Sequence, residues 1–239
     1  MSLCDYYLPN VKAIAPYVPG KPITQLAREL NLPVEKIVKL ASNENPLGMS
    51  PKARQAVEKA IVSLERYPDD FDLKQAVASS TGLGTEHIVL GNGSNDVLDL
   101  AARVFLASGR SAVYSQYAFA VYPLATLSAG AEPLCAPAKD FGHDPEALLK
   151  AIRPDTRLIW LANPNNPTGT FIAYPRLKEF LLAIPKDVVI VLDEAYNDYL
   201  APEDRFDTAR WISEFPNLII TRTFSKIYGL GGLRVGWAT

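Results

Sequence analysis

Residues 188–196 read VVIVLDEAY, five apolar residues followed at once by two acidic ones. A strand that is apolar on both faces is typical of the centre of a parallel sheet covered by helices on both sides. In such sheets, ligands bind beyond the carboxyl ends of the strands. Asp193 directly follows this strand, and burying its carboxylate costs free energy unless a cation or several donors satisfy it. The stretch therefore predicts an α/β fold with a ligand site at the end of a central strand.

Short apolar segments alternate with amphipathic ones from about residue 85 onward. This periodicity predicts strands at 88–90, 112–114, 132–136, 158–162, 188–192, 218–221 and 235–238. It predicts helices at 95–107, 118–128, 145–152 and 174–183. Because strands and helices alternate, we expect a mostly parallel seven-stranded sheet between helices.

The first part of the chain has a different character. Five prolines before residue 40 predict an extended arm with one short helix at Ile23–Leu30. Ser50 then precedes Pro51, a pair typical of a helix cap and first helical position. We therefore divide the chain into an arm at 1–45 and a large ligand-binding domain at 46–239.

Composition and charge exclude several classes of protein. Hydrophobic residues make up 48% and charged residues 21% of the chain, an ordinary globular balance. The net charge of −2 gives no electrostatic reason to expect nucleic acid or an anionic membrane as a partner. No apolar run reaches the roughly 18 residues of a transmembrane helix, and the first residues lack the pattern of a signal peptide. We expect a cytoplasmic protein.

The few metal-ligand residues are scattered along the chain. Cys4 and Cys135 form no close pair, and His87 and His143 lie in unrelated segments. Because a structural zinc site needs about four clustered ligands, we expect no metal. The two histidines are predicted to be partly exposed and without a ligand role.

Two of the polar segments that follow predicted strands are ambiguous when taken alone. Residues 91–96 read GNGSND, where small residues and a helix start favour a phosphate. Asp96 stands where a dinucleotide fingerprint needs its third glycine, which argues against a nicotinamide site. Residues 163–169 read NPNNPTG, a stiff loop that presents asparagine side chains. A plain strand-to-helix turn and a rigid surface turn remain open for these segments.

Residues 223–236 read TFSKIYGLGGLRVG and contain both a lysine and an arginine suited to chemistry. Lys226 stands between hydroxyl residues and a glycine-rich turn, and Arg234 opens the last apolar strand. Arginine makes forked contacts with phosphate. A lysine whose pKa is lowered by burial or by nearby cations becomes a nucleophile for an aldehyde. The segment therefore indicates a phosphate site next to a reactive amine.

Taken together, the segments 163–169, 193–196 and 223–236 resemble those of the class I and II aminotransferases of fold type I, which use pyridoxal 5′-phosphate. The runs PYVPG at 16–20, NENPLG at 43–48 and RYP at 66–68 are similar to the branch that acts on histidinol phosphate. The resemblance extends from about residue 10 to residue 239. It implies transfer of the amino group of L-histidinol phosphate to 2-oxoglutarate, giving imidazole acetol phosphate and L-glutamate, in histidine biosynthesis. Aromatic aminotransferases, threonine-phosphate decarboxylases and an inactive cofactor-binding scaffold stay open as alternatives.

The resemblance also implies roles for single residues. Lys226 is the catalytic residue and holds the cofactor as a Schiff base, while Asp193 pairs with the ring nitrogen. The other cofactor contacts that it implies are Asn166 and Tyr196 at the 3′ oxygen, Tyr117 on the ring face, and Ser94, Asn95, Thr223, Ser225 and Arg234 around the phosphate.

Two further tyrosines carry expectations beyond the cofactor. Tyr67 matches a tyrosine that reaches the phosphate of the neighbouring subunit, which implies a homodimer. Tyr17 is expected to contact substrate, although a packed arm residue is an equally good interpretation. The family continues beyond the position of Thr239 into a smaller domain that grips the substrate carboxylate, and the resemblance implies that the arm at 1–45 also contributes to that domain. We therefore expect the chain to lack that domain.

Overall fold

The computed structural model describes residues 3–239 and contains one seven-stranded sheet in the order β1-β7-β6-β5-β4-β2-β3. The strands are β1 (Val89–Asn92), β2 (Ser111–Ser115), β3 (Glu132–Ala136), β4 (Thr156–Ala162), β5 (Val189–Asp193), β6 (Leu218–Thr223) and β7 (Val235–Ala238). Neighbours from β3 to β6 are parallel, and β7 runs antiparallel to both β1 and β6. The predicted mostly parallel sheet of seven strands is confirmed.

The sheet is covered on both faces, as the apolar stretch at its centre requires. β5 is the fourth of the seven strands, and its residues Ile190, Val191 and Leu192 are fully buried. Ile190 and Leu192 belong to one core cluster with Leu177 of a covering helix, whereas Val191 belongs to another. Successive side chains of this strand therefore enter two separate apolar layers.

Eight α-helices occur within residues 3–239. They are α1 (Pro9–Lys12), α2 (Ile23–Leu30), α3 (Pro51–Ala60), α4 (Phe71–Thr81), α5 (Ser94–Phe105), α6 (Val121–Ser128), α7 (Pro145–Lys150) and α8 (Tyr174–Ala183). The predicted helix α2 and the start of α3 are confirmed, and the Ser50 hydroxyl accepts a hydrogen bond from the Ala53 N–H at 3.2 Å. No helix in this range has the length and apolar character needed to cross a membrane.

Several predicted boundaries were wrong by a few residues. The helix expected from residue 118 begins at Val121, because Tyr117 adopts a left-handed φ of 58° and the chain turns before it winds. α4 was not predicted at all. Only Val77, Ala78 and Thr81 of its eleven residues are buried, so its apolar stripe is faint in the sequence.

The arm lies largely exposed along the large domain. Ala27 is buried, and the Asn10 side chain donates to the Leu127 carbonyl of α6 at 3.0 Å. The extended character of the arm and its short helix agree with the proline pattern. The division into an arm at 1–45 and a domain at 46–239 stays a prediction.

One of the two histidines is not where the sequence places it. His87 is exposed, as expected, but His143 is only 8% exposed, so its predicted partial exposure was wrong. The loop after β3 folds back under the end of β4 and places His143 Nε2 2.8 Å from the Ala162 carbonyl. Burial lowers the pKa of His143.

β7 and the first turn of α5 approach each other closely at Gly236. Gly236 is buried, and a Cβ placed on it would collide with the backbone of Gly93 and Ser94. Gly232, in the preceding turn, has no atom within 4 Å of the same position. Position 236 therefore requires a glycine, whereas position 232 tolerates a side chain.

We predict that Gly236→Ala lowers the free energy of unfolding by about 1–3 kcal/mol, since the clash is with backbone atoms that cannot rotate away. Gly232→Ala serves as the matched control and should change it by less than about 0.5 kcal/mol. Urea denaturation followed by circular dichroism measures both. Equal effects of the two substitutions would contradict the role of the α5–β7 contact.

Candidate functional site

A cavity of about 970 Å³ opens at the carboxyl ends of the central strands. It is lined by all four polar segments that follow predicted strands, together with part of the arm. Ten of the twelve predicted site residues line it: Tyr17, Ser94, Asn95, Asn166, Asp193, Tyr196, Thr223, Ser225, Lys226 and Arg234. The topology thus brings together side chains that are up to 217 positions apart in the sequence, from Tyr17 to Arg234.

Lys226 enters the cavity from the turn that follows β6. Its Nζ donates to the Ser42 carbonyl of the arm at 2.8 Å and lies 5.6 Å from the centre of the Tyr196 ring. Burial lowers the pKa of Lys226 and the charge of Arg234 adds to this effect, although Glu44 and Asp193 oppose it. More of the Lys226 amine is therefore neutral near pH 7 than for an exposed lysine, as a nucleophile or base requires.

Asp193, the last residue of β5, is only 5% exposed. Its carboxylate accepts hydrogen bonds from the Tyr122 hydroxyl at 2.9 Å and the Ala195 N–H at 3.1 Å. Burial raises the pKa of Asp193, and these two donors, the Thr221 hydroxyl and the charge of Lys226 lower it. A cationic ligand in the cavity would stabilise the ionised carboxylate further.

Tyr122 is the functional residue that the sequence did not reveal. It is fully buried in α6, and its ring stacks on Trp160 of β4 with centroids 5.4 Å apart and planes 3° from parallel. The Trp160 indole N–H in turn donates to Thr126 at 3.0 Å. In the sequence Tyr122 stands in an apolar stretch, where the pattern indicates burial but not the direction of its hydroxyl.

The Arg234 side chain meets the start of α5 at the wall of the cavity. Arg234 Nη1 donates to the Ser225 hydroxyl at 3.1 Å, and Nη2 donates to the Asn92 carbonyl at 3.0 Å. Ser94 begins the twelve-residue helix α5, whose first N–H groups favour a negative charge. A side chain at Gly93 would collide with the Arg234 guanidinium. The close packing therefore depends on that glycine.

The opposite side of the cavity carries neutral hydrogen-bonding groups. The Tyr196 hydroxyl accepts a hydrogen bond from the Asn43 side chain at 2.9 Å, and Asn166 lines the same cavity. Burial raises the pKa of Tyr196, while Asn43 lowers it. Ser42 and Asn43 come from the arm and were not among the predicted site residues. The only sequence signal for this loop was the run at 43–48, which resembles one in the aminotransferase family.

Two predicted site residues lie outside the cavity. Tyr67 is fully exposed in the segment between α3 and α4. Tyr117 is about half exposed, and its ring contacts Phe141 with centroids 5.4 Å apart. It neighbours Ala118, which does line the cavity. The ring-stacking role of Tyr117 and the intersubunit role of Tyr67 stay predictions.

Metal ligands do not cluster in the part of the chain that the structure describes. Residues 3–239 contain no group of three or more histidine, cysteine, aspartate or glutamate side chains that could hold a metal ion.

Comparison with known proteins points to one family. A model of the family described as aminotransferase class I and II matches residues 35–239. The chain is 68% identical over 238 residues to histidinol-phosphate aminotransferase 1 of Dechloromonas aromatica (strain RCB), covering 100% of this chain and 66% of that protein. It is 58% identical over 244 residues to histidinol-phosphate aminotransferase 1 of Thiobacillus denitrificans (strain ATCC 25259 / T1), covering 99% and 64%. The chain thus spans slightly less than two thirds of the length of these relatives.

A solved structure has the same fold. The crystal structure of histidinol-phosphate aminotransferase from Sinorhizobium meliloti, in complex with pyridoxal-5′-phosphate, superposes with a TM-score of 0.87 at 31% sequence identity. The match covers 98% of this chain and 62% of that one. The strand order and register described above are therefore those of the aminotransferase fold.

We predict that Tyr122→Phe raises the pKa of Asp193, because the substitution removes a hydrogen bond that favours the ionised carboxylate and leaves the carboxylate just as buried. The pH range in which Asp193 is protonated then extends upward. Titration of the aspartate carboxyl carbons by ¹³C NMR measures this pKa without any ligand.

Tyr174→Phe is the matched control for this measurement. The Tyr174 hydroxyl donates to Asn197 at 2.7 Å and makes no contact with Asp193 in the structure. The control should leave the pKa of Asp193 unchanged. An unaltered Asp193 titration in Tyr122→Phe would show that the Tyr122 hydroxyl does not govern this carboxylate.

Proposed function

Because the chain belongs to the class I and II aminotransferase family, we propose that it forms the cofactor-holding part of an aminotransferase dependent on pyridoxal 5′-phosphate. The proposed reaction transfers the amino group of L-histidinol phosphate to 2-oxoglutarate, yielding imidazole acetol phosphate and L-glutamate. The observation that carries the proposal is the convergence of Lys226, Asp193 and Arg234 on one cavity. A lysine amine, a buried carboxylate and an arginine that line one cavity can all contact one ligand.

The residues of the cavity fit this cofactor. When bound, pyridoxal phosphate supplies an aldehyde that condenses with amines and a protonated ring that withdraws electrons. Lys226 offers the aldehyde an amine whose pKa is lowered. Burial raises the pKa of Asp193, and a cationic ring nitrogen would stabilise its ionised carboxylate. Arg234, Ser225 and the first turn of α5 would hold the phosphate.

Proton movement is the task that we assign to Lys226. Its Nζ has to be neutral to take a proton from the substrate carbon and charged to return one, so a lowered pKa suits both steps. Asp193 would keep a bound ring nitrogen protonated, because an ionised carboxylate favours the charged form of its partner. Asn166 and Tyr196 are proposed to bind the 3′ oxygen, since both line the cavity beside Lys226.

The names of the relatives support the proposed substrate. The two relatives described above, at 68% and 58% identity, are both named histidinol-phosphate aminotransferases. Differences of substrate within one fold arise from side chains in the substrate pocket, and high identity leaves few such differences. Tyr17 is proposed to contact the substrate, because it lines the cavity from the arm. The amino donor and the 2-oxo acid are both small molecules.

We predict that the protein expressed from its complete gene and loaded with pyridoxal phosphate reacts with histidinol phosphate roughly 100-fold more efficiently than with phenylalanine or O-phosphothreonine. The physical reason is that a site suited to an imidazole and a phosphate has polar groups that stay without a partner when one of the other two amino donors is bound. Stopped-flow absorbance of the bound cofactor measures kcat/KM for each donor, and 2-oxoglutarate should restore the absorbance.

Two lysine variants control this experiment. Lys226→Ala should abolish both the reaction and the covalent cofactor adduct that mass spectrometry detects after reduction with borohydride. Lys178→Ala, which only breaks a surface ion pair with Glu214 at 2.8 Å, should leave both intact. Release of carbon dioxide from O-phosphothreonine would favour a decarboxylase, and a preference for phenylalanine would favour an aromatic aminotransferase. Cofactor binding without reaction of any donor would favour a scaffold.

We also propose a homodimer in which Tyr67 of each subunit reaches the cavity of the other. Tyr67 is fully exposed, and the segment around it exposes Ile61, Val62, Leu64 and Phe71. Apolar and aromatic residues exposed together favour an interface, because association removes them from water. A tyrosine within such a surface is well placed to contact a ligand of the partner subunit.

We expect Leu64→Glu to convert the dimer to monomer, because a charge at the centre of an apolar interface loses its hydration on association. Sedimentation velocity measures the change, and the Kd for pyridoxal phosphate should rise in parallel. Leu182→Glu, at a leucine of α8 that is similarly exposed, is the control and should remain dimeric. A wild-type protein that is monomeric at all concentrations would refute the homodimer.

A further inference from the structure

Two residues next to the proposed cofactor contacts lie outside the cavity. Asp193 and Thr223 line it, but their chain neighbours Glu194 and Arg222 do not. Successive side chains of extended chain alternate between faces, so Glu194 and Arg222 come together on the other side of the strand ends. The Glu194 side chain is completely buried there, and that of Arg222 is 19% exposed.

Glu194 and Arg222 form a closely bonded ion pair. Arg222 Nε donates to Glu194 Oε2 at 2.9 Å, and Nη2 lies 2.8 Å from the same oxygen. The buried Thr208 hydroxyl donates to the other oxygen, Oε1, at 2.7 Å. Asp207 lies 3.8 Å from Arg222 Nη2, and the ring of Trp237 lies 5.5 Å from the guanidinium carbon. Both carboxylate oxygens of Glu194 therefore have a partner.

The backbone ties this ion pair to the active-site residues on either side. The Glu194 N–H donates to the Thr221 carbonyl at 2.9 Å, which continues the β5–β6 ladder one residue beyond Asp193. Arg222 lies within β6, directly before Thr223 and four positions before Lys226. The ion pair thus joins the two strand ends that deliver the carboxylate and the lysine.

Stability alone does not account for an ion pair at this place. Removing two charges from water is costly, and well-packed apolar residues often stabilise a core as well as a buried ion pair does. What an ion pair adds is a fixed geometry, because the hydrogen bonds that a guanidinium donates to a carboxylate are directional. An apolar pair would hold the strand ends together without fixing their relative position.

We propose that the Arg222–Glu194–Thr208 cluster is a positioning device that fixes the separation of the Asp193 carboxylate from the Lys226 amine. This inference rests on the proposed function, since it matters only if both groups act on one cofactor. Neither Glu194 nor Arg222 touches the cavity, so both act through their neighbours. Misplacement of a reacting group by about 1 Å can reduce a rate 100-fold, which sets the scale of the expected effect.

The test uses the protein expressed from its complete gene, prepared both without cofactor and loaded with pyridoxal phosphate. We expect Glu194→Gln to raise the Kd for pyridoxal phosphate roughly tenfold and to lower kcat roughly 10- to 100-fold, with KM nearly unchanged. The pH at which the absorbance of the bound cofactor changes should also shift. Fluorescence titration of the cofactor-free protein measures the Kd.

A control and a double variant separate positioning from stability. Glu132→Gln breaks another ion pair, 2.6 Å from Arg153, at the opposite end of the sheet, and should leave the Kd and the pH titration unchanged. The double variant Glu194→Gln with Arg222→Gln removes both charges and is expected to recover thermal stability. It should not recover the Kd, kcat or pH titration of the wild type, because the contacts of the guanidinium with the Glu194 carboxylate are still missing.

The outcomes distinguish this inference from the proposed function. A folded double variant with the wild-type Kd, kcat and pH titration would overturn the positioning role and leave the proposed function standing. A wild-type protein that binds no pyridoxal phosphate would overturn both. Altered Kd and pH titration in the double variant, with Glu132→Gln unaffected, would support the positioning role.

Discussion

The rest of the site is arranged around the burial of the Asp193 carboxylate at the end of β5. A carboxylate at the tip of a buried central strand loses its hydration, and its pKa rises as a result. The fold offsets part of this cost with two donors, the Tyr122 hydroxyl and the Ala195 N–H, and with the nearby charge of Lys226. Incomplete compensation is useful here, because the carboxylate retains an affinity for a cationic ligand that an exposed aspartate would lack.

The sequence could predict the sheet and most of the cavity because both follow from local patterns. An apolar run such as 188–192 has one main structural solution, a central strand, and polar residues after several such runs must then meet at one edge of the sheet. The convergence of Asn166, Asp193 and Lys226 follows from topology alone. Strand ends were less certain, since β6 extends two residues past the predicted end to include Thr223.

What the sequence could not predict depends on directions in space that no periodicity encodes. The hydroxyl of Tyr122 reaches Asp193 across 71 positions, and Ser42 accepts a hydrogen bond from Lys226 across 184. A buried tyrosine in an apolar helix looks the same whether its hydroxyl meets a carboxylate or water. The pairing of Glu194 with Arg222 was equally hidden, because both appear in the sequence as ordinary charged residues beside more conspicuous ones. His143 was misjudged for the same reason, since its burial depends on how a loop folds under β4.

Because β7 runs antiparallel to β6, one segment of the chain brings both Lys226 and Arg234 to the cavity. Thr223 pairs with Gly236, and the Phe224 N–H donates to the Val235 carbonyl at 3.1 Å, so residues 224–235 form a closed loop. Lys226 and Arg234 belong to the same loop, and its closure limits how far they can separate. The separation of Lys226 from Asp193 is instead set by the register of β6 against β5. The positions of the three groups around a ligand therefore depend on two independent constraints. One acts within the loop at 224–235, and the other acts between β5 and β6. The constraint between β5 and β6 is not reinforced by a closed loop of this kind. A fixed geometry is therefore most needed there, and an additional bond between these two strands would provide it.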